Sequence, residues 1–347
     1  MATRNQTQAQ VRVLDSANGG IADPGLCING LAGALYSGRM VSLGATVVTA
    51  RELGNGLQNV YIADPAGGNC TASSSPIVAQ RATLVGRGIA GGYEIFAAST
   101  GNIAFSRLTT NAAGSSWNTT IDSLSGSDPI SSLSLGFGRG FLTRTGSFVQ
   151  GTLAHNLSSE QVAALTAGLS LQWTGASLGQ SGAVYFASPS GPAALYRTVF
   201  TAGSPVGSFM PNTDMASKLS PFDGSTVNSF LPAHAPILGH GGFVYMLSAA
   251  GDLSVFQNNP RAWFGPSAQT LFGSVSVSPL LDIARSASGG PVCDRPGVLY
   301  VVSNSGMVTS FIVDSKGLDR NAAWPRFQHD NANSGNTDTN LSAWGCP

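Results

Sequence analysis

One unit recurs six times along this chain, and it limits the fold more than any other feature. Each copy is an apolar strand carrying an aromatic, a turn of small residues with glycine, and a second apolar strand. The copies start at Val60, Tyr93, Phe141, Val184, Val244 and Leu299, and their turn glycines are Gly68, Gly101, Gly146, Gly191, Gly251 and Gly306. Each reads as a β-hairpin, because glycine supplies the positive φ of a tight turn between β-branched and aromatic residues at strand positions. A further short strand precedes most copies and is entered through proline, at Pro76, Pro129, Pro236 and Pro279. Proline is tolerated there because the first residue of a strand need not donate to the ladder.

Spacing selects the architecture. The turn glycines stand 33, 45, 45, 60 and 55 residues apart, around the ~40–50 residues of a four-stranded propeller blade with loops of varying length. Coils of a parallel β-helix are shorter, and a sandwich does not repeat its pattern six times. The expectation is an all-β chain, a β-propeller of four-stranded antiparallel blades, with six blades counted. Residues 1–35 and 203–232 are the places from which a seventh would come. All 347 residues are read as one propeller domain with a closing segment at 315–347. A single helix is expected in a connection, capped at Ser158 and stopped at Gly168. The strand Ala9–Leu14 is expected to close the ring by pairing with the blade that carries Leu299–Phe311, since an open ring leaves two unpaired sheet edges.

Composition narrows the partners. Seventeen basic residues balance seventeen acidic ones and only 10% of residues are charged, so no basic field is present for nucleic acid or an anionic membrane. No apolar run approaches the ~18 residues of a membrane span, and the start MATRNQTQAQ lacks the basic and apolar regions of a signal peptide. Cys27, Cys70, Cys293 and Cys346 lie far apart without the spacing of a zinc site. Three disulfide pairings are open, with four buried thiols as the alternative. Cys27 with Cys70 and Cys293 with Cys346 are favoured, since each pair stays near one end of the chain. Disulfides, together with scarce lysine and loops rich in Asn, Ser and Thr, point to an extracytoplasmic setting, secreted, periplasmic or associated with an outer membrane.

The most specific local signal is Trp324-Pro-Arg-Phe327-Gln-His329-Asp330-Asn-Ala-Asn-Ser-Gly335-Asn336. It resembles the signature of propeller proteins of the PQQ-like, or quinoprotein dehydrogenase-like, group. Residues 275–347 as a whole resemble the closing blade of bacterial secreted or lipid-anchored members, those of myxobacteria among them. The segment also has a packing role that needs no chemistry. Trp324 and Phe327 wedge between blades or against the rim, and Asn331, Asn333 and Gly335 form a turn. Calcium is the one cofactor weighed on these residues, and Asp330, Asn331, Asn333 and Asp338 do not follow the order of a calcium loop.

In the quinoprotein enzymes the resemblance implies PQQ, calcium held by Glu and Asn, an Asp base and an adjacent pair of cysteines. This chain has no Cys-Cys pair and only Glu52, Glu94 and Glu160 as glutamates. Gly86-Arg-Gly88-Ile-Ala-Gly91 fits a nucleotide-loop pattern by letter but leads into the strand at Tyr93, so it reads as a turn. His155, His234, His240 and His329 are dispersed, and His234 and His240 read as surface or loop residues. Arg139, Arg144, Arg197, Arg261 and Arg285 are scattered among the blades, where an axial funnel could gather several of them around an acidic glycan or a carboxylate. The expected function is a non-catalytic scaffold that binds a protein or a glycan through its loops, with no catalytic, cofactor or metal residues assigned. The alternative is an enzyme on the same scaffold, a degenerate quinoprotein or a carbohydrate-active hydrolase.

Overall fold

The structure is a computed structural model. It describes residues 2–4, 9–11, 36–44, 46–52, 57–64, 69–72, 77–78, 83–98, 104–123, 130–144, 153–156, 162–164, 174–187, 193–200, 209–211, 216–217, 232–249, 251, 253–256, 263–264, 274–275 and 278–347. Cys27, Gly68, Gly101, Gly146 and Gly191 lie outside the described residues, as do most of the stretches weighed for a seventh blade. The described chain is nearly all β, with two single-turn 3-10 segments at His240–Gly242 and Leu341–Ala343. No helix among the described residues is long and apolar enough to cross a membrane.

The chain divides into two compact units, residues 1–130 with 333–338, and residues 131–332 with 339–347. The first unit holds two larger antiparallel sheets and one of two short strands. In the first sheet, Tyr36–Leu43, Thr46–Glu52, Leu57–Asp64 and Asn69–Ala72 follow in order, and Ile77–Val78 also pairs with the third strand. The second sheet runs Thr83–Ile89, Gly92–Ala98, Ala104–Asn111 and Trp117–Ser123. Alternate residues of both bury into one core, where Val41, Val48, Ala50, Val60, Leu84, Ile95 and Leu108 are fully shielded. Each such Val, Leu or Ile contributes about 1.5–3 kcal/mol by leaving water.

Four sheets make up most of the second unit. The third sheet is Ile130–Gly136, Arg139–Arg144, Leu153–Asn156 and Val162–Ala164. The fourth is Gly175–Leu178, Ala183–Ala187, Ala193–Phe200 and Phe209–Pro211, with Ala216–Ser217 also paired to its third strand. The fifth is Ile237–Gly239, Phe243–Leu247, Leu253–Phe256 and Trp263–Phe264. The sixth has three strands, Leu280–Asp282, Gly297–Val302 and Val308–Val313. Neighbouring sheets pack face to face: Ala187, Leu195, Val244 and Met246 join the fourth to the fifth, and Ile237, Tyr245, Leu281, Leu299 and Val301 join the fifth to the sixth. Close approach needs small residues. A Cβ on Gly175 would stand 2.7 Å from that of Ala235, and Ser134 Oγ donates to the Ala176 carbonyl at 2.9 Å.

The tight turn between the first and second strands of the first five sheets passes through a glycine at positive φ: Gly44, Gly91, Gly138, Gly182 and Gly241. These recur more evenly than the hairpin glycines singled out in the sequence. The reason is that the copy at Val60 lies on a third strand, whereas those at Tyr93, Phe141, Val184, Val244 and Leu299 lie on second strands.

Three further expectations are corrected. Val162–Ala164 is a strand and not a helix, because it pairs with Leu153–Asn156 and completes the third sheet. Gly86 and Gly88 sit within the strand Thr83–Ile89, and only Ala90 and Gly91 turn. Ala9–Val11 pairs antiparallel with Ala2–Arg4 in a sheet of two, and not with the strand that carries Leu299. A local partner a few residues away costs less loop closure than one nearly 300 residues on.

Candidate functional site

The segment from Ser315 onward has little regular structure and instead bonds first strands of the sheets. In the second unit, Leu178 and Trp324 exchange backbone hydrogen bonds at 2.8 and 2.9 Å, Leu238 N donates to the Pro325 carbonyl at 2.7 Å, and Asp319 N donates to the Leu238 carbonyl at 2.9 Å. In the first unit, Ser42 N donates to Ser334 O at 2.7 Å and Gly86 N to Gly335 O at 2.8 Å. The Cys293–Cys346 disulfide, with Cα atoms 5.6 Å apart, staples the segment to the loop that leads into Gly297–Val302.

A buried polar knot lies inside this segment. Trp324, Arg326 and Asp330 are fully shielded and His329 nearly so, while Phe327 keeps part of its ring exposed. Arg326 donates to the Asp330 carbonyl and, at 3.2 Å, to that of Pro279. Burial pushes the Arg326 guanidinium down to about 10 against the pull of Asp330, so it remains charged at neutral pH. Burial, with Arg326 as a second cause, pushes His234 down to about 4 and keeps it neutral. His234 thus stands partly buried in the loop that leads into Ile237–Gly239, as the loop reading has it. Gln328 and His329 stand at φ 59° and 74°, a left-handed pair that costs about 1–2 kcal/mol per residue and is held by the packing of the Trp324 and His329 rings, 4.9 Å apart. Two of the four calcium candidates are engaged elsewhere: Asn331 Nδ2 donates to the Leu281 carbonyl at 2.6 Å, and Asp338 accepts from Gly88 N at 2.5 Å. Among the described residues no three His, Cys, Asp or Glu side chains gather as a metal set.

A cleft of about 240 Å³ opens between the fourth and fifth sheets, lined by Gln180, Ser181, Tyr185, Arg197, Phe243 and Asp319 among others. Tyr185 and Arg197 face each other across adjacent strands, and the guanidinium carbon lies 5.7 Å from the ring centroid, a cation–π contact worth ~0.5–1 kcal/mol or more. Among the described residues Arg197 makes neither a hydrogen bond nor an ion pair, and its Nε is shielded without a partner. Asp319 accepts from Gln180 Nε2 at 2.9 and 3.0 Å and from Asn321 N at 3.1 Å. Of the arginines singled out in the sequence, Arg285 is spent on Asp282, Gly289 and Ala343. Arg261 lies outside the described residues, and Arg139 and Arg144 are placed only as strand positions.

The sixth sheet presents the other unusual surface. Tyr300, Val302, Met307, Val308 and Ile312 are exposed there, Ile312 at 81%, and Ile89 is the one other large apolar side chain so exposed among the described residues. Val308–Val313 pairs with Gly297–Val302 on one edge, and among the described residues no strand pairs with its other edge. Neither feature follows from motif reading: the cleft depends on strand register, and the sixth-sheet edge depends on which strands pair among the described residues.

No protein-family model matches the chain, and no curated protein matches it. Solved structures do. Sqt1 of Saccharomyces cerevisiae is similar with a TM-score of 0.54 at 14% identity, over 88% of this chain and 90% of that one. A Lactobacillus plantarum protein matches with a TM-score of 0.53 at 12% identity, over 91% and 95%. These neighbours are β-propellers. The fold is a β-propeller. The Pseudomonas aeruginosa periplasmic gluconolactonase PpgL is also similar, with a TM-score of 0.51 at 15% identity, over 90% of this propeller and 94% of that chain.

Proposed function

We propose that this propeller is a non-catalytic scaffold outside the cytoplasm whose six larger sheets act as blades, and that it docks a protein partner along the sixth. The observation that carries this reading is the concentration of exposed apolar side chains on one sheet whose last strand, Val308–Val313, has no charged residue. Natural proteins guard free edges with charge, proline or cover. An edge that no described residue guards suits a partner that adds a strand, main chain to main chain, with alternate side chains on Val308 and Ile312. The Cys293–Cys346 disulfide supports an oxidising location. Trp324–Asn336 supports kinship with PQQ-like repeats through packing, and the reading calls on no PQQ, calcium or other cofactor.

Selection of extended peptides from a displayed library on the immobilised protein tests the reading. Enriched peptides should alternate apolar residues and lose at least tenfold in affinity on Ile312→Lys or Val308→Lys. Peptides that bind both variants as they bind the parent would sink it. A second reading, an enzyme acting on a carbohydrate, is favoured by the polar cleft beside Arg197. The gluconolactonase among the similar folds supplies the first substrate to try, and ring opening of gluconolactone above the spontaneous rate would select that reading.

A further inference from the structure

The cleft between the fourth and fifth sheets is built from separate strands and from the segment after Ser315, and it lies apart from the sixth-sheet edge. We propose that it is a binding site for a single sugar acid, a small polyhydroxylated carboxylate. Binding requires no turnover, so the site stands whether the propeller is a scaffold or an enzyme.

Size sets the first limit. About 240 Å³ is room for roughly eight waters at ~30 Å³ each, enough to seat one sugar acid. Charge sets the second. Arg197 and Asp319 both line the cleft yet form no ion pair with each other, and the Tyr185 ring holds the guanidinium in place. A guanidinium with no carboxylate of its own among the described residues, preset on an aromatic face, matches a carboxylate in geometry and charge. A doubly charged phosphate would meet the repulsion of Asp319, and a neutral sugar would leave Arg197 without an anion.

Polar capacity sets the third. The Asp319 carboxylate offers about four acceptor sites and spends three on Gln180 and Asn321, so at least one remains for a ligand hydroxyl. Ser181, exposed and held at φ 52° by its turn, adds a second hydroxyl partner at the rim. The Phe243 ring, stacked on Tyr245 with centroids 6.3 Å apart, gives the C–H face of the ligand an apolar wall. A carboxylate at one end, hydroxyls at the other and an apolar face between them describe a uronic or aldonic acid.

Calorimetric titration with D-gluconate, D-glucuronate, D-glucose and acetate tests the assignment. At least one of the two sugar acids should bind with a dissociation constant in the millimolar range or below, and glucose and acetate at least tenfold more weakly. Arg197→Gln should lower acid affinity tenfold or more, Asp319→Asn should lower it severalfold without changing acetate binding, and Ile312→Lys should leave it unaltered. Unchanged thermal midpoints would show that both cleft variants fold. Failure of both acids to bind the parent protein overturns the proposal, as does acetate binding equal to that of the sugar acids or parental acid affinity in Arg197→Gln. None of these results bears on peptide binding at the sixth sheet, so the two sites fail separately.

Discussion

The second and sixth sheets end differently. The second closes on Trp117–Ser123, a strand reading Trp-Asn-Thr-Thr-Ile-Asp-Ser, and inside it Glu94, 1% exposed, is clamped by Arg87 at 2.5 Å and Arg107 at 2.6 Å. The sixth ends on Val-Thr-Ser-Phe-Ile-Val with Val308 and Ile312 in solvent, and it is secured by a disulfide and by the segment after Ser315. A polar outer strand repels further pairing, whereas an apolar, uncharged one accepts it. This contrast is what the proposed docking along the sixth sheet rests on.

The largest expected effect removes the staple. Closing 53 residues, the Cys293–Cys346 bridge contributes about 4 kcal/mol in the chain-entropy view, so Cys293→Ser with Cys346→Ser should lower the urea midpoint of the second unit far more than that of the first. Equal losses would erase the distinction. Next comes the clamp: Glu94→Gln leaves Arg87 and Arg107 without their shared carboxylate and should cost about 3 kcal/mol, read by urea denaturation and by hydrogen exchange in residues 83–123. Acid is the third lever. His234 has a folded pKa of about 4 against 6.5, so the unfolded chain binds the extra proton between those values, and its contribution is complete above pH 6.5 and lost as pH falls toward 4. Part of the His234 surface remains wet, so the loss is about 2 kcal/mol, and His234→Gln should flatten that portion of the stability–pH curve. The smallest effect is Ile312→Lys, whose exposed position predicts a stability change within about 0.5 kcal/mol. A large loss of stability would mean that the face is already covered.

How much of this was legible in the sequence depends on the range of the interaction. Alternation and turn glycines act over a few residues, so the hairpins at Tyr93, Phe141, Val184, Val244 and Leu299 could be read directly, as could the Pro236 and Pro279 strand entries. The copy at Val60 misled because a third strand obeys the same alternation as a second. Val162–Ala164 misled because its capping signals are local, whereas its strand partner, Leu153–Asn156, wins through sheet completion. Arg197 could be named, but its pairing with Tyr185 depends on register, and its encounter with Asp319 depends on a segment 122 residues further along. The edge at Val308–Val313 left no local mark, since an exposed strand and a buried one can share the same letters.

The segment after Ser315 also bears on how the protein is made. Residues 315–346 leave the ribosome after every strand they bond, including those at Ser42, Gly86, Leu178 and Leu238. Until Trp324 and Arg326 arrive, the first strands lack these backbone partners, and apolar faces such as that of Leu178 lie open to misassociation. A message truncated before residue 324 would therefore yield sheets able to form hairpins but not to complete their packing, and such products should be prey to proteases and chaperones rather than partially active.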